Sequence, residues 1–187
     1  MQYAPADNGR ITKGAVIALK ARVLLYDSRW QEVATTCEQL LNNTTNGRYG
    51  LVPDYSAVFL PENENGVESV WALQFSPNLV TWGQYRDFVP LTVGQRVNAL
   101  APTQELVDSY VTLNGRAITD AQSGYVENTP YANRDPRLTA TVVYDGYNWL
   151  NPDGTTSTIF IRPGSTPANG DTRNEFGKPN ASTTGYY

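Results

Sequence analysis

The sequence contains no histidine, one cysteine and one methionine in 187 residues. Without histidine, Ser-His-Asp and Cys-His catalysis are excluded and the commonest metal ligand is missing. A lone Cys37 cannot build a disulfide framework; on the apolar stripe of a predicted helix it reads as a buried thiol with no redox or metal role. Basic excess is lacking too. Lys and Arg number 14 against 18 Asp and Glu, a net charge of −4, and the pI is near 4.8, which argues against a nucleic-acid partner. Long apolar runs are absent: Ala15 to Tyr26 is broken by Lys20 and Arg22 and is too short to cross a bilayer. Met1 to Asn8 holds no apolar core of a targeting segment. If the protein works outside the cytoplasm, its signal lies upstream. No motif calls for a cofactor or a metal.

What is present begins with two helices back to back, Thr12 to Tyr26 and Trp30 to Leu41, joined by Asp27, Ser28 and Arg29. The first is apolar nearly all round, with Lys13 and Lys20 marking a polar stripe. Gly14, Ala18 and Ala21 fall on one line, so a neighbouring backbone can come close. The second puts Trp30, Val33, Ala34, Cys37 and Leu41 on one face. Complementary faces and a short connection predict an antiparallel helical hairpin over 9–42. One partner cannot cover an all-round apolar helix, so further helices are expected from a longer protein or another chain; we favour the former.

The remainder, 48–187, is loop-rich, and the whole reads as a single domain. Tyr55, Val58 and Phe59 are expected to pack inward from a short helix or turn. Val67 to Phe75 alternates, with Val67, Trp71, Leu73 and Phe75 on one face of a predicted strand and Trp71 in the core. Thr103 caps a helix running to Tyr110, with Glu105 at its positive end and Leu106, Val107 and Tyr110 as its apolar side. Thr139 to Tyr144 and Thr158 to Arg162 form a predicted hairpin or small sheet, with turn signals at Asp145-Gly146 and Asp153-Gly154. Pro163 to Tyr187 is irregular, without a closing element. The fold class is mainly α with irregular loops and small β elements.

In order along the chain, GRITKGAVIALKARVLLY, a Trp opening the next helix, YSAVFL, NENGVESVWALQF, APTQELVDSY, NRDPRLTATVVYDG and TGYY resemble the SusD/RagB family. The resemblance covers nearly the whole chain. It implies a tetratricopeptide-like helical superhelix carrying a loop-rich half, tethered by lipid to the outer membrane at the cell surface. It also implies a SusC-like TonB-dependent transporter as partner and a glycan ligand that is captured without cleavage. Family members are longer and carry a lipid-modified N-terminal Cys. Cys37, inside a helix, does not match that residue, so the sequence resembles a middle-to-late section whose anchor lies outside it.

The candidate residues divide by chemistry. Arg134, Asp135 and Arg137, within the family-like NRDPR, are expected to be structural, their charge-assisted bonds pinning a turn. Glu62, Glu64 and Glu68 are the nearest to a glycosidase pair, which needs carboxylates roughly 5 to 10 Å apart across a sugar; a solvated polar turn is the expectation. Trp82, Tyr85, Arg86 and Phe88 offer flat faces and fork-shaped polar partners suited to sugars. The same rings would equally serve as plugs between strand and scaffold. Tyr147, Asn148 and Trp149 form a second such cluster at a predicted hairpin tip. Carbohydrate binding is the leading reading, and a tetratricopeptide-like protein-interaction domain is the alternative.

Overall fold

The computed structural model describes residues 7, 9–42, 45, 47–76, 78, 80–81, 87, 89–94, 100–165 and 171–187. The chain divides into two compact units, Met1–Thr81 and Trp82–Tyr187.

In the first unit, α1 (Lys13–Tyr26) and α2 (Trp30–Asn42) form the hairpin. Thr12 caps α1, its hydroxyl accepting from the Ala15 N–H at 3.1 Å. Ser28 takes a left-handed conformation (φ 57°) in the connection. Arg29 closes that turn with two hydrogen bonds to Glu32 at 2.5 and 2.6 Å. On α1, Gly14, Ala15, Ala21 and Leu24 are buried. What approaches Gly14 is a side chain and not a backbone: the Tyr49 ring lies against it.

The inward line of α2 is Val33, Thr36 and Leu40, with Thr36 fully buried. Trp30, Ala34, Cys37 and Leu41 are exposed, which corrects the buried-thiol expectation for Cys37. A single partner helix covers a narrow stripe, and that stripe centres on Thr36, about one residue away from the apolar one. Val16, Leu19, Val23 and Leu25 of α1 are exposed as well.

After the hairpin, 3-10 turns span Tyr55–Phe59 and Pro61–Asn63, the first capped by Asp54. Tyr55 and Phe59 are exposed and Val58 is half-buried, so the inward packing expected of the two rings does not occur. No strand forms at 67–75 among the described residues, and Val67, Trp71, Leu73 and Phe75 are exposed. The alternation there finds no neighbouring strand. Its backbone contacts are single ones, such as Gly50 N–H to Val67 O at 3.1 Å.

The second unit holds two adjoining clusters. Val107 of α3 (Gln104–Ser109) packs with Leu138 of α4 (Pro136–Thr141), Val142 and Tyr186. Val143, Ile159, Ile161 and Tyr187 form the other. Thr103 caps α3, accepting from the Leu106 N–H. The strand expected at 139–144 is instead the end of α4 followed by extended Val142. Asp135 as cap and Pro136 at the first helical position start a helix that buries Leu138 and, four residues on, Val142. The hairpin is built from β1 (Tyr147–Leu150) and β2 (Thr156–Ile159), antiparallel, pairing Tyr147 with Ile159 and Leu150 with Thr156. Tyr147 to Trp149 therefore lie in a strand, and the tip falls at 151–155, where Gly154 has φ 82°.

Residues 171–187 contain no helix or strand, yet they close the core. Val143 and Tyr187 exchange two backbone hydrogen bonds at 2.7 and 3.0 Å. Thr92 donates to Asp171 at 2.7 Å and accepts from Asn174. No described helix is long and apolar enough to cross a membrane.

Candidate functional site

Arg134 is buried, and its guanidinium donates to three main-chain carbonyls: Pro130 at 2.8 Å, Val107 at 2.7 Å and Tyr110 at 2.9 Å. It also lies 5.6 Å from the centre of the Tyr125 ring. The loop from Thr112 to Arg134 closes where those two residues pair. Asp135 accepts from the Arg137 N–H at 2.9 Å and takes the Arg137 guanidinium on both oxygens. Those bonds hold its carboxyl below the usual range.

Behind this loop stand stacked tyrosines. Tyr131 lies 3.9 Å from Tyr144 with the rings 15° apart, and meets Tyr186 edge-on at 6.5 Å. Burial, then the hydrogen bond to Tyr186, raises the Tyr131 phenol well above its ordinary value. Tyr147 meets Tyr144 edge-on at 5.5 Å.

The hairpin separates its three candidates. Tyr147 and Trp149 are half-buried against the Val143, Ile159, Ile161 and Tyr187 cluster. Asn148 points outward and accepts from the Thr158 hydroxyl at 2.9 Å. Trp82, Tyr85, Arg86 and Phe88 lie outside the described residues. Glu62, Glu64 and Glu68 are exposed, and Glu68 accepts from the Val52 N–H at 2.9 Å. No group of acidic or cysteine side chains among the described residues is placed to hold a metal.

One cavity in the second unit, of about 380 Å³, was not foreseen. The turn from Asn128 to Ala132 lines it together with Asp145 and Arg162. Asp145 Oδ1 accepts from the N–H groups of Ile161 and Arg162 at 2.8 and 2.9 Å. Its Oδ2 faces Arg162 Nη2 at 3.3 Å. These residues come from three separate segments, and Asp145-Gly146 read only as a turn signal, so no spacing in the sequence announced them.

The SusD family pattern matches residues 67–185. A SusD-like protein of Formosa agariphila is 27% identical over 77 residues, 41% of this chain and 14% of that protein. Among solved structures, a SusD-like protein of Bacteroides fragilis superposes with a TM-score of 0.72 at 26% identity, covering 99% of this chain and 37% of that one. A SusD-like carbohydrate-binding protein of the same species gives 0.78 at 22% identity, covering 98% and 34%. The chain thus spans little more than a third of the length of these structures. Matched from Val67 to Gly185, more than half its length, the chain belongs to the SusD family.

Proposed function

We propose that this protein binds oligosaccharides or polysaccharides at the bacterial cell surface, without cleaving them, for uptake through a SusC-like TonB-dependent transporter. The observation that carries the reading is the family match over residues 67–185. A structural neighbour described as carbohydrate-binding supports it. The outer membrane, reached through a lipid anchor, is the proposed location. In this reading Trp82, Tyr85, Arg86 and Phe88 supply stacking faces and a fork-shaped donor for sugar rings, and Tyr147, Asn148 and Trp149 are secondary candidates. Arg134, Asp135 and Arg137 serve the fold. The absence of histidine from the sequence and the exposure of Glu62, Glu64 and Glu68 favour capture over hydrolysis.

Calorimetric titration with a panel of oligosaccharides, paired with an assay for new reducing ends, tests this. Binding without new ends is the expected result. Failure of every glycan to bind, or release of reducing ends from a bound one, overturns it. Trp82→Ala should weaken binding about tenfold or more at an unchanged melting temperature if the ring is a stacking platform. A large drop in melting temperature makes it a plug instead.

A further inference from the structure

Resting on the glycan-binding reading, we propose that the cavity between the 128–132 turn and the Asp145–Arg162 pair is a subsite for one neutral sugar ring. Its hydroxyls would bridge Asp145 Oδ2 and Arg162 Nη2. The looseness of that pair is the first reason. At 3.3 Å it is longer than the 2.5 to 2.8 Å of Arg137–Asp135, Arg116–Asp120 and Arg173–Asp171, shorter than Arg29–Asp27 at 3.8 Å and Lys178–Glu175 at 3.7 Å, and longer than an optimal charge-assisted bond. A hydroxyl that donates to the carboxylate and accepts from the guanidinium satisfies both groups better than they satisfy each other.

The carboxylate is also aimed. Two backbone N–H groups hold Oδ1, so Oδ2 remains as the acceptor that faces the Arg162 guanidinium. The Arg162 side chain is 78% exposed and the Asp145 side chain 24%. The donor is therefore open to a ligand while the acceptor is anchored. Because the two charges compensate, the site suits a neutral ring over an anion. Also lining the cavity, the side chains of Asn128 and Thr129 make no hydrogen bond with the described protein and supply further polar partners. Tyr131, fixed by stacking on Tyr144, forms a wall that needs no ordering on binding. A volume of about 380 Å³ lies at the small end of ligand sites and matches a single ring better than a long chain.

The test is calorimetric titration of the full chain with neutral gluco-, manno-, galacto- and xylo-configured oligosaccharides, alongside uronate oligosaccharides. Arg162→Ala and Asn128→Ala, both at exposed positions, are measured with the wild type, each with its melting temperature. The expected result is a neutral ligand whose affinity falls about tenfold or more in Arg162→Ala and severalfold in Asn128→Ala, at unchanged melting temperatures. If the wild type binds a neutral glycan and both variants keep its affinity, the subsite is wrong while glycan binding stands. If only uronates bind, the neutral assignment is wrong. If nothing binds, the glycan reading fails and the subsite with it.

Discussion

The ring of Tyr49 occupies the space beside Gly14 so fully that a Cβ there would lie 2.1 Å from its hydroxyl oxygen. The same ring would meet a Cβ on Gly47 at 2.7 Å, and its hydroxyl lies 3.3 Å from that of Thr12. It is gripped between two glycines at the start of α1.

Gly14→Ala therefore sets two effects against each other. Helix propensity gains up to about 1 kcal/mol, while overpacking against a gripped ring costs about 1–3 kcal/mol. The clash should win, and thermal melting should show a lower transition for Gly14→Ala. Adding Tyr49→Ala should reverse the sign of the Gly14 effect. A higher melting temperature for Gly14→Ala alone would mean the ring does not sit there.

Arg134 ties three carbonyls that no other side chain reaches in the described structure. Arg134→Ala should leave the buried Val107 carbonyl unpaired at about 1–3 kcal/mol, and the half-buried Pro130 and Tyr110 carbonyls at less. Arg134→Lys, with a point charge in place of a planar fork, should recover only part. Denaturant titration of the pair checks the order, and equal stability of the two variants would count against the fork.

Acid should weaken the second unit through Asp171. Its two bonds from the Arg173 guanidinium, then that from Thr92, hold its carboxyl far below the usual value despite partial burial. As pH falls through the ordinary carboxylate value of about 3.9, the unfolded chain takes up the proton first. Stability present above that pH is therefore lost below it. Asp171→Asn should lower stability at neutral pH and flatten the acid limb of a stability-against-pH curve. An unchanged limb would assign the acid sensitivity elsewhere.

Tyr187 is 5% exposed, pairs with Val143 through two main-chain bonds, and accepts from the Ser182 N–H at 3.1 Å. Tyr187→Ala should cost about 3–5 kcal/mol. Amide exchange should then quicken first at Ile161 and along β2, the strand that ends in the same cluster.

How much could be read beforehand depended on range. Helix α3 was legible because period and cap agree within a few residues, with Thr103 as the cap, and α1 because an apolar run of helix formers ends at the short polar connection Asp27-Ser28-Arg29. The pattern at 139–144 misled because Thr-Ala-Thr-Val alternates in polarity as a strand would. The stronger signal was Asp135-Pro136 just upstream, which starts a helix. Residues 67–75 alternate as well, but alternation states a preference for pairing and does not supply the partner. For Cys37, a helical wheel tells which residues are apolar but not which are covered. The cavity at Asp145 and Arg162 draws on positions up to 34 apart (Asn128 to Arg162) brought together by tertiary packing, and neither spacing nor composition encodes that.

The exposure of Cys37 has a practical consequence. It is the only thiol in the sequence, and it lies on the same apolar line of α2 as Trp30 and Leu41. A thiol-directed dye would thus attach at one known point without engineering. Its reaction rate and emission colour would report whether that side of the helix is wet or covered, turning one exposed residue into a gauge for whatever comes to rest there.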